Sequence, residues 1–218
     1  MVSIRVACIA GLLLMATPAA AQAPVPPVLP LLSLTDGQLF PGLSMEVQII
    51  EQSSRVMVDE AVKGNSIIGV VTLRPGGVPN ERGRSPIFDT GNVCIIDDVM
   101  RQPDGRLFIL IRSVMTFRLD QELTDRVYRS ARVTTRSETV ADGDRELLGS
   151  LRRRADELSA IADPVRPAAM SDTDRINRLA FYMDLDPFER QAILDRDSIV
   201  ARAQALVDLL TMKLATRR

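Results

Sequence analysis

Apolar and polar positions follow two different periods along the chain, and the change between them divides it. From residue 29 onward the spacing is that of strands. "LPLLSL" (29–34) is a short apolar run closed by the turn residues Thr35-Asp36-Gly37. Leu43, Met45, Val47 and Ile49 then alternate with more polar neighbours over 43–50, directly after the corner Phe40-Pro41-Gly42. A short helix is predicted next, with Ser53 or Ser54 as its cap, Met57, Val58, Ala61 and Val62 on one face, and Gly64 closing it. "SIIGVVTL" (66–73) is apolar nearly throughout, which predicts a strand buried on both faces.

"RPGGVPNERGRSP" (74–86) has three Pro and three Gly and no period, so it is a loop, and loops of this length in compact domains are often functional. "NVCIIDDVM" and "LFILIRSVM" flank Pro103-Asp104-Gly105, whose turn chemistry predicts a hairpin. "TFRLDQEL" and "VYRSARVTT" follow as two more strands around Thr124-Asp125. Short strands in this order imply a small curled sheet or partial barrel.

After Ala141-Asp142-Gly143-Asp144 the period becomes helical. Leu147, Leu148, Leu151, Ala155 and Leu158 share a face, and Pro164 and Pro167 end that helix. Ser171 caps a helix carrying Ile176, Leu179, Ala180 and Met183. Asp186-Pro187-Phe188-Glu189 starts another, and Ser198 starts the last, with Ile199, Ala203, Leu206, Leu210 and Leu214 on one side. The C-terminal part is therefore predicted to be a small helical bundle.

Residues 1–21, "MVSIRVACIAGLLLMATPAAA", hold Arg5, an apolar run from Val6 to Met15 and small residues at Ala19 and Ala21. This is the layout of a secretory signal cleaved after Ala21, and the apolar run is shorter than the roughly 20 residues a membrane span needs. A periplasmic or secreted protein with no membrane span after cleavage is expected. A Pro-rich leader, 22–28, follows. Cleavage removes Cys8 and leaves Cys94 alone, so no internal disulfide is expected; in "NVCIID" Cys94 reads as a buried small hydrophobe. Losing Arg5 from 27 basic side chains leaves 26 against 28 acidic ones. With aromatics at 4% and no basic cluster among them, no nucleic-acid partner is expected.

The chain has no histidine, which removes His-based acid–base and nucleophilic chemistry and most zinc sites. No phosphate-binding glycine motif is present, and no cofactor or metal is expected. The carboxylate pairs Asp97-Asp98, Asp184 with Asp186, and Asp195 with Asp197 leave a carboxylate-dependent hydrolase as a remote alternative, because capping and helix-junction roles explain them.

The order of elements resembles the N-terminal substrate-binding domain of the Lon protease family. The resemblance is carried by the opening strand Leu29 to Leu34, the corner Phe40-Pro41-Gly42, Gly64 at the helix end, Gly91, the hairpin Pro103-Asp104-Gly105-Arg106, the strand segment Thr116 to Leu119, and the helical tail "LDPFERQAILDRDSIVARAQALVDLL". Asn92, Ile96 and Asp97, and Ser113 depart from the family pattern. The resemblance implies an α+β fold: a PUA-like small β-barrel or curled sheet with one short helix (29–137), then a helical subdomain (138–218). It also implies a free-standing recognition domain without ATPase or peptidase modules, non-catalytic, which binds protein or peptide segments; a docking module for one folded partner is the alternative. Phe40 is expected to plug the barrel. The expected binding surface is the loop carrying Arg74, Pro75, Val78, Pro79, Arg82, Arg84, Ile87 and Phe88, beside the apolar rim of the corner.

Overall fold

The computed structural model describes residues 24–35, 38–136, 138–159 and 170–216. The expected signal sequence with Cys8, the expected turn residues Asp36 and Gly37, and Pro164 and Pro167, expected to end a helix, lie outside them.

Six strands form the first part: β1 (Val28–Leu34), β2 (Ser44–Ile49), β3 (Ile67–Thr72), β4 (Thr90–Arg101), β5 (Leu107–Leu123) and β6 (Arg129–Arg136). Helix α1 (Gln52–Lys63) joins β2 to β3. The sheet order is β2-β5-β4-β3-β1-β6, with β6 also pairing back onto β5. Pairing therefore runs in a closed ring from β5 through β4, β3, β1 and β6 to β5 again, with β2 added along the first half of β5. All pairs are antiparallel except β1 with β3. The parallel pair is possible because α1 supplies the crossover between strands.

Ring closure depends on β5, where two strands were expected at 107–115 and 116–123. They are one strand of 17 residues. Its first half pairs with β2 and its second half with β6, while β4 runs along the other edge with register shifts at Val93/Cys94 and Ile96/Asp98. Such irregularities bend a strand and raise its twist, which lets one strand serve two sides of a small barrel. At the β4–β5 hairpin, Gln102 N–H donates to the Arg106 carbonyl at 2.9 Å, as the turn chemistry predicts.

β3 is buried on both faces, as its apolar run predicts. Ile68 and Val70 join a cluster with Leu32, Ile109 and Ile111, whereas Ile67 and Val71 join one with Leu29, Phe117 and Val133. Phe117 packs against Gly91, where an added Cβ would lie 2.5 Å from the Val70 carbonyl oxygen. Met57, Val58 and Ala61 of α1 close the first cluster. Two details differ from expectation: Val62 is exposed, and α1 starts at Gln52 after Glu51, which makes no side-chain cap. Ser53 and Ser54 thus lie inside the first turn.

Helices α2 (Arg145–Ser159), α3 (Asp172–Tyr182), α4 (Pro187–Leu194) and α5 (Ile199–Thr216) pack around a separate core. Ser171 caps α3 by accepting from Asp174 N–H, and Asp186 with Glu189 forms a reciprocal capping box on α4. Leu147, expected on the buried face of α2, is exposed.

The corner joins the two parts. Gly42 has φ +84°, a conformation side chains resist, and its N–H donates to the Ser113 carbonyl at 2.9 Å. Phe40 is fully buried but among Leu148, Ile176 and Leu206 of the helical core, so it plugs the bundle and not the barrel. The chain direction set by Pro41-Gly42 carries the ring across. Asn177 donates to the Pro41 carbonyl at 3.1 Å, and the guanidinium of buried Arg202 lies 5.8 Å from the Phe40 ring centre. Arg202 bonds Glu138 and, at 2.9 Å, Asn177. Asn92 and Ser113, two positions that depart from the family pattern, touch each other: Ser113 Oγ donates to Asn92 Oδ1 at 3.0 Å, while Asn92 Nδ2 donates to the Leu39 carbonyl at 2.8 Å. The pair satisfies itself in a buried place and holds the segment entering the corner.

Candidate functional site

The ring of strands leaves one stretch uncovered. β6 pairs only with Val28 to Leu31 of β1, its first residue Arg129 standing opposite Leu31. The remaining residues of β1, Leu32 to Leu34, have no strand on that side among the described residues. β2 pairs with β5 alone, so its outer edge is also free of a strand among the described residues. A cavity of about 510 Å³ lies between these edges. The beginning of α1, the loop segment 82–85 and residues 127–129 complete its wall. This volume is within the range of roughly 300–1,000 Å³ common for ligand sites.

Arginine gives the cavity its charge. Arg84 Nη1 donates to Glu122 Oε1 at 3.0 Å, and Arg129 Nε lies 3.7 Å from the same oxygen. Arg129 Nη2 donates to the Ser85 carbonyl at 2.5 Å, but its Nη1 is buried with no hydrogen-bond partner. Burial pushes the Arg129 guanidinium below its ordinary pKa, with neighbouring Arg84 adding to the effect and Glu122 and Glu51 opposing it. Ser33 Oγ, on the β1 wall, is likewise buried and unpartnered. Three guanidiniums (Arg82, Arg84, Arg129) face two carboxylates (Glu51, Glu122), so the balance is positive. The rim is apolar: Ile50 and Val127 are 75% and 73% exposed.

The residues expected to form a binding loop separate into three groups. Arg82 and Arg84 line the cavity, the latter held by Glu122 and by the Arg126 and Tyr128 carbonyls. Pro75, Val78 and Pro79 are exposed at the loop's tip. Arg74, Ile87 and Phe88 instead anchor the loop. Arg74 Nε donates to the Ile87 carbonyl at 2.8 Å and its guanidinium stacks 5.3 Å above Phe88. Ile87 and Phe88 are buried, Phe88 meeting Phe188 edge-on at 5.6 Å, so neither presents an accessible surface. Of the motif residues, Gly64 ends α1 with its N–H bonded to the Glu60 and Ala61 carbonyls, and Pro103-Asp104-Gly105 make the hairpin turn. Neither they nor Phe40, Pro41, Gly42 and Gly91 line the cavity. Arg129, Ile50 and Val127 were missed by sequence reasoning, since each sits at a strand end with nothing local to mark it.

Five of the six paired carboxylates take structural partners. Both oxygens of Asp97 accept from Arg112 at 2.9 Å, Asp98 accepts from Val99 N–H, Asp186 caps α4, Asp195 accepts from Gln191, and Asp197 pairs with Arg136. Among the described residues no cluster of three His, Cys, Asp or Glu side chains is arranged to hold a metal ion. Nor is any described helix long and apolar enough to cross a membrane. Cys94 is fully buried, and burial pushes its thiol pKa upward.

A family profile described as the ATP-dependent protease La (LON) substrate-binding domain matches residues 28–212. Among curated proteins, Lon protease 2 of Myxococcus xanthus is 26% identical over 202 residues, covering 87% of this chain and 24% of that protein. Lon protease of Parabacteroides distasonis is 29% identical over 156 residues, covering 69% of this chain and 19% of that protein. The chain thus spans about a quarter or less of the length of these relatives. Among solved structures, the Lon N-terminal domain protein from Xanthomonas campestris superposes with a TM-score of 0.61 at 20% identity, covering 83% of this chain and 97% of that one. The N-terminal domain of Mycobacterium avium complex Lon protease gives 0.59 at 19%, covering 84% and 98%. The six-stranded sheet with its helical tail is the fold of these domains.

Proposed function

The chain belongs to the ATP-dependent protease La (LON) substrate-binding domain family, and from that premise we propose that it binds exposed segments of other proteins outside the cytoplasm, without chemistry of its own. The observation that carries this reading is the cavity between two unpaired strand edges. An extended segment placed there gains main-chain hydrogen bonds from the edges of β1 and β2 and apolar contact from Ile50 and Val127. The signal-like layout of residues 1–21 supports a place outside the cytoplasm. The commitment of Asp97 and Asp197 to ion pairs and of Asp186 to a helix cap supports a binding role over a hydrolytic one.

The test is to mix residues 22–218 with a chemically denatured model protein and follow both aggregation and direct binding. Interaction is expected at tens of micromolar, about −6 kcal/mol. No interaction at that concentration would refute the reading. Co-purification from the host is expected to yield a heterogeneous set of proteins, and a single stoichiometric partner would favour a docking module instead. Fractionation of the host should find the protein outside the cytoplasm, and recovery with the cytoplasmic fraction would overturn that part.

A further inference from the structure

Chain direction specifies what the cavity takes. β6 runs antiparallel to β1 and begins at Arg129, opposite Leu31. The unpaired stretch Leu32 to Leu34 continues the same edge of β1 beyond the start of β6. A segment laid along it in line with β6, and so antiparallel to β1, ends against Arg129 with its own C-terminus. β2 and β6 are both antiparallel to β5, so the same segment lies parallel to β2 on its other side.

We propose that the cavity captures the free C-terminal carboxylate of a protein segment whose last three or so residues are aliphatic. This rests on the substrate-binding reading above and names its substrate class. The receptor is Arg129, whose side chain is 11% exposed and whose Nη1 has no acceptor among the described residues. A buried guanidinium N–H without an acceptor is costly, and an arriving carboxylate removes that cost. Ser33 Oγ supplies a second unpartnered group on the same wall. The first turn of α1 lines the cavity and carries no acid, so its N–H groups work against the one carboxylate just before it, that of Glu51.

Two features select a C-terminus over other anions. A terminal carboxylate sits directly on the main chain, so it can reach Arg129 while the residues before it pair with the strand edges. An acidic side chain holds its charge several bonds from the backbone and loses one contact or the other. The exposed rim beside the charge, Ile50 and Val127, is aliphatic, which suits apolar terminal residues and not a polyanion.

The test uses the purified protein and a fluorescent peptide of about ten residues ending in Ala-Leu-Val, as the free acid, as the C-terminal amide, and with an Asp placed inside an amidated chain. The free acid is expected to bind about 10- to 100-fold more tightly than either other form, the range for a hydrogen bond to a charged group. Arg129→Gln should abolish the preference for acid over amide. Val127→Asp, at an exposed position, should weaken the free acid without altering thermal stability. Equal binding of acid and amide, a preference for internal Asp, or an acid preference surviving in Arg129→Gln overturns the proposal. If denatured protein binds but no peptide form does, terminal capture fails and the broader reading stands; if denatured protein also fails to bind, the broader reading falls with it.

Discussion

Removing Arg202 tests whether one buried ion pair joins the barrel to the helical bundle. Its side chain is 1% exposed, bonds Glu138 and Asn177, and sits beside the Phe40 ring, while Glu138 is 12% exposed. Arg202→Met keeps the apolar stem but takes the charged donor from Glu138, which retains Asn177 Nδ2 at 3.2 Å, and leaves Asn177 Oδ1 without its donor. Breaking a buried pair costs about 3–5 kcal/mol, and the partial exposure of Glu138 places this case near the lower value. For a chain of this size about 3 kcal/mol corresponds to a fall in Tm of roughly 6–12 °C. Glu138→Gln alone should cost about 2 kcal/mol, leaving a desolvated guanidinium with one fewer charged acceptor. The double variant should be less damaged than the sum of the two, because each single change leaves its buried partner uncompensated and the double change removes both partners. The chain contains no Trp, so urea unfolding followed by far-UV circular dichroism is the assay. A loss below about 1 kcal/mol in Arg202→Met, or single effects that add within roughly 0.5 kcal/mol, would refute the reasoning.

Gly91→Ala should cost at least about 1–3 kcal/mol, since the new Cβ would meet the Val70 carbonyl at 2.5 Å and the Phe117 ring at 2.7 Å; Gly143→Ala, with nothing within 4 Å, is the control and should leave the melting curve in place. Burial alone would raise the Asp156 carboxyl pKa, but hydrogen bonds from Arg152 and Arg175 outweigh it and hold the carboxyl below its ordinary value. Its contribution is therefore present above the unfolded value of about 3.9 and lost as pH falls through the lower folded one. Asp156→Asn should be less stable than the parent at pH 7, and the gap should narrow as pH falls below the ordinary carboxylate value; a gap independent of pH would contradict the assignment. Cys94 should resist thiol reagents in the folded protein and react at the unfolding rate in urea, and rapid labelling without denaturant would show that the β3–β4 region opens locally.

Several local features were legible because a few neighbouring residues decide them. The Asp186 cap, the hairpin at Pro103-Asp104-Gly105 and the positive φ of Gly42 all follow from turn and capping chemistry within about four positions. Expectation failed where the decision was remote. The run reads as two strands divided between Met115 and Thr116, yet Thr116 is buried and lies within a continuous β5. Phe40 is apolar in either core, and only the packing of α3 and α5 against the corner directs it into the bundle. Ile87 and Phe88 belong by sequence to a loop and by packing to the interior.

Taken alone, the order of residues determined the succession of strands and helices, the corner, and the family. Short-range sterics, periodicity and backbone hydrogen bonding act among neighbours and leave their record in neighbours. The tertiary structure decided that the ring of strands closes through one long β5, that among the described residues Leu32 to Leu34 have no strand on one side, that Arg202 is buried and that Arg129 is largely enclosed. An arginine is exposed by default, and what encloses these two comes from elements far away in the chain. The charge and direction of the cavity therefore appear only when β1, β2, the 82–85 loop and β6 are brought together.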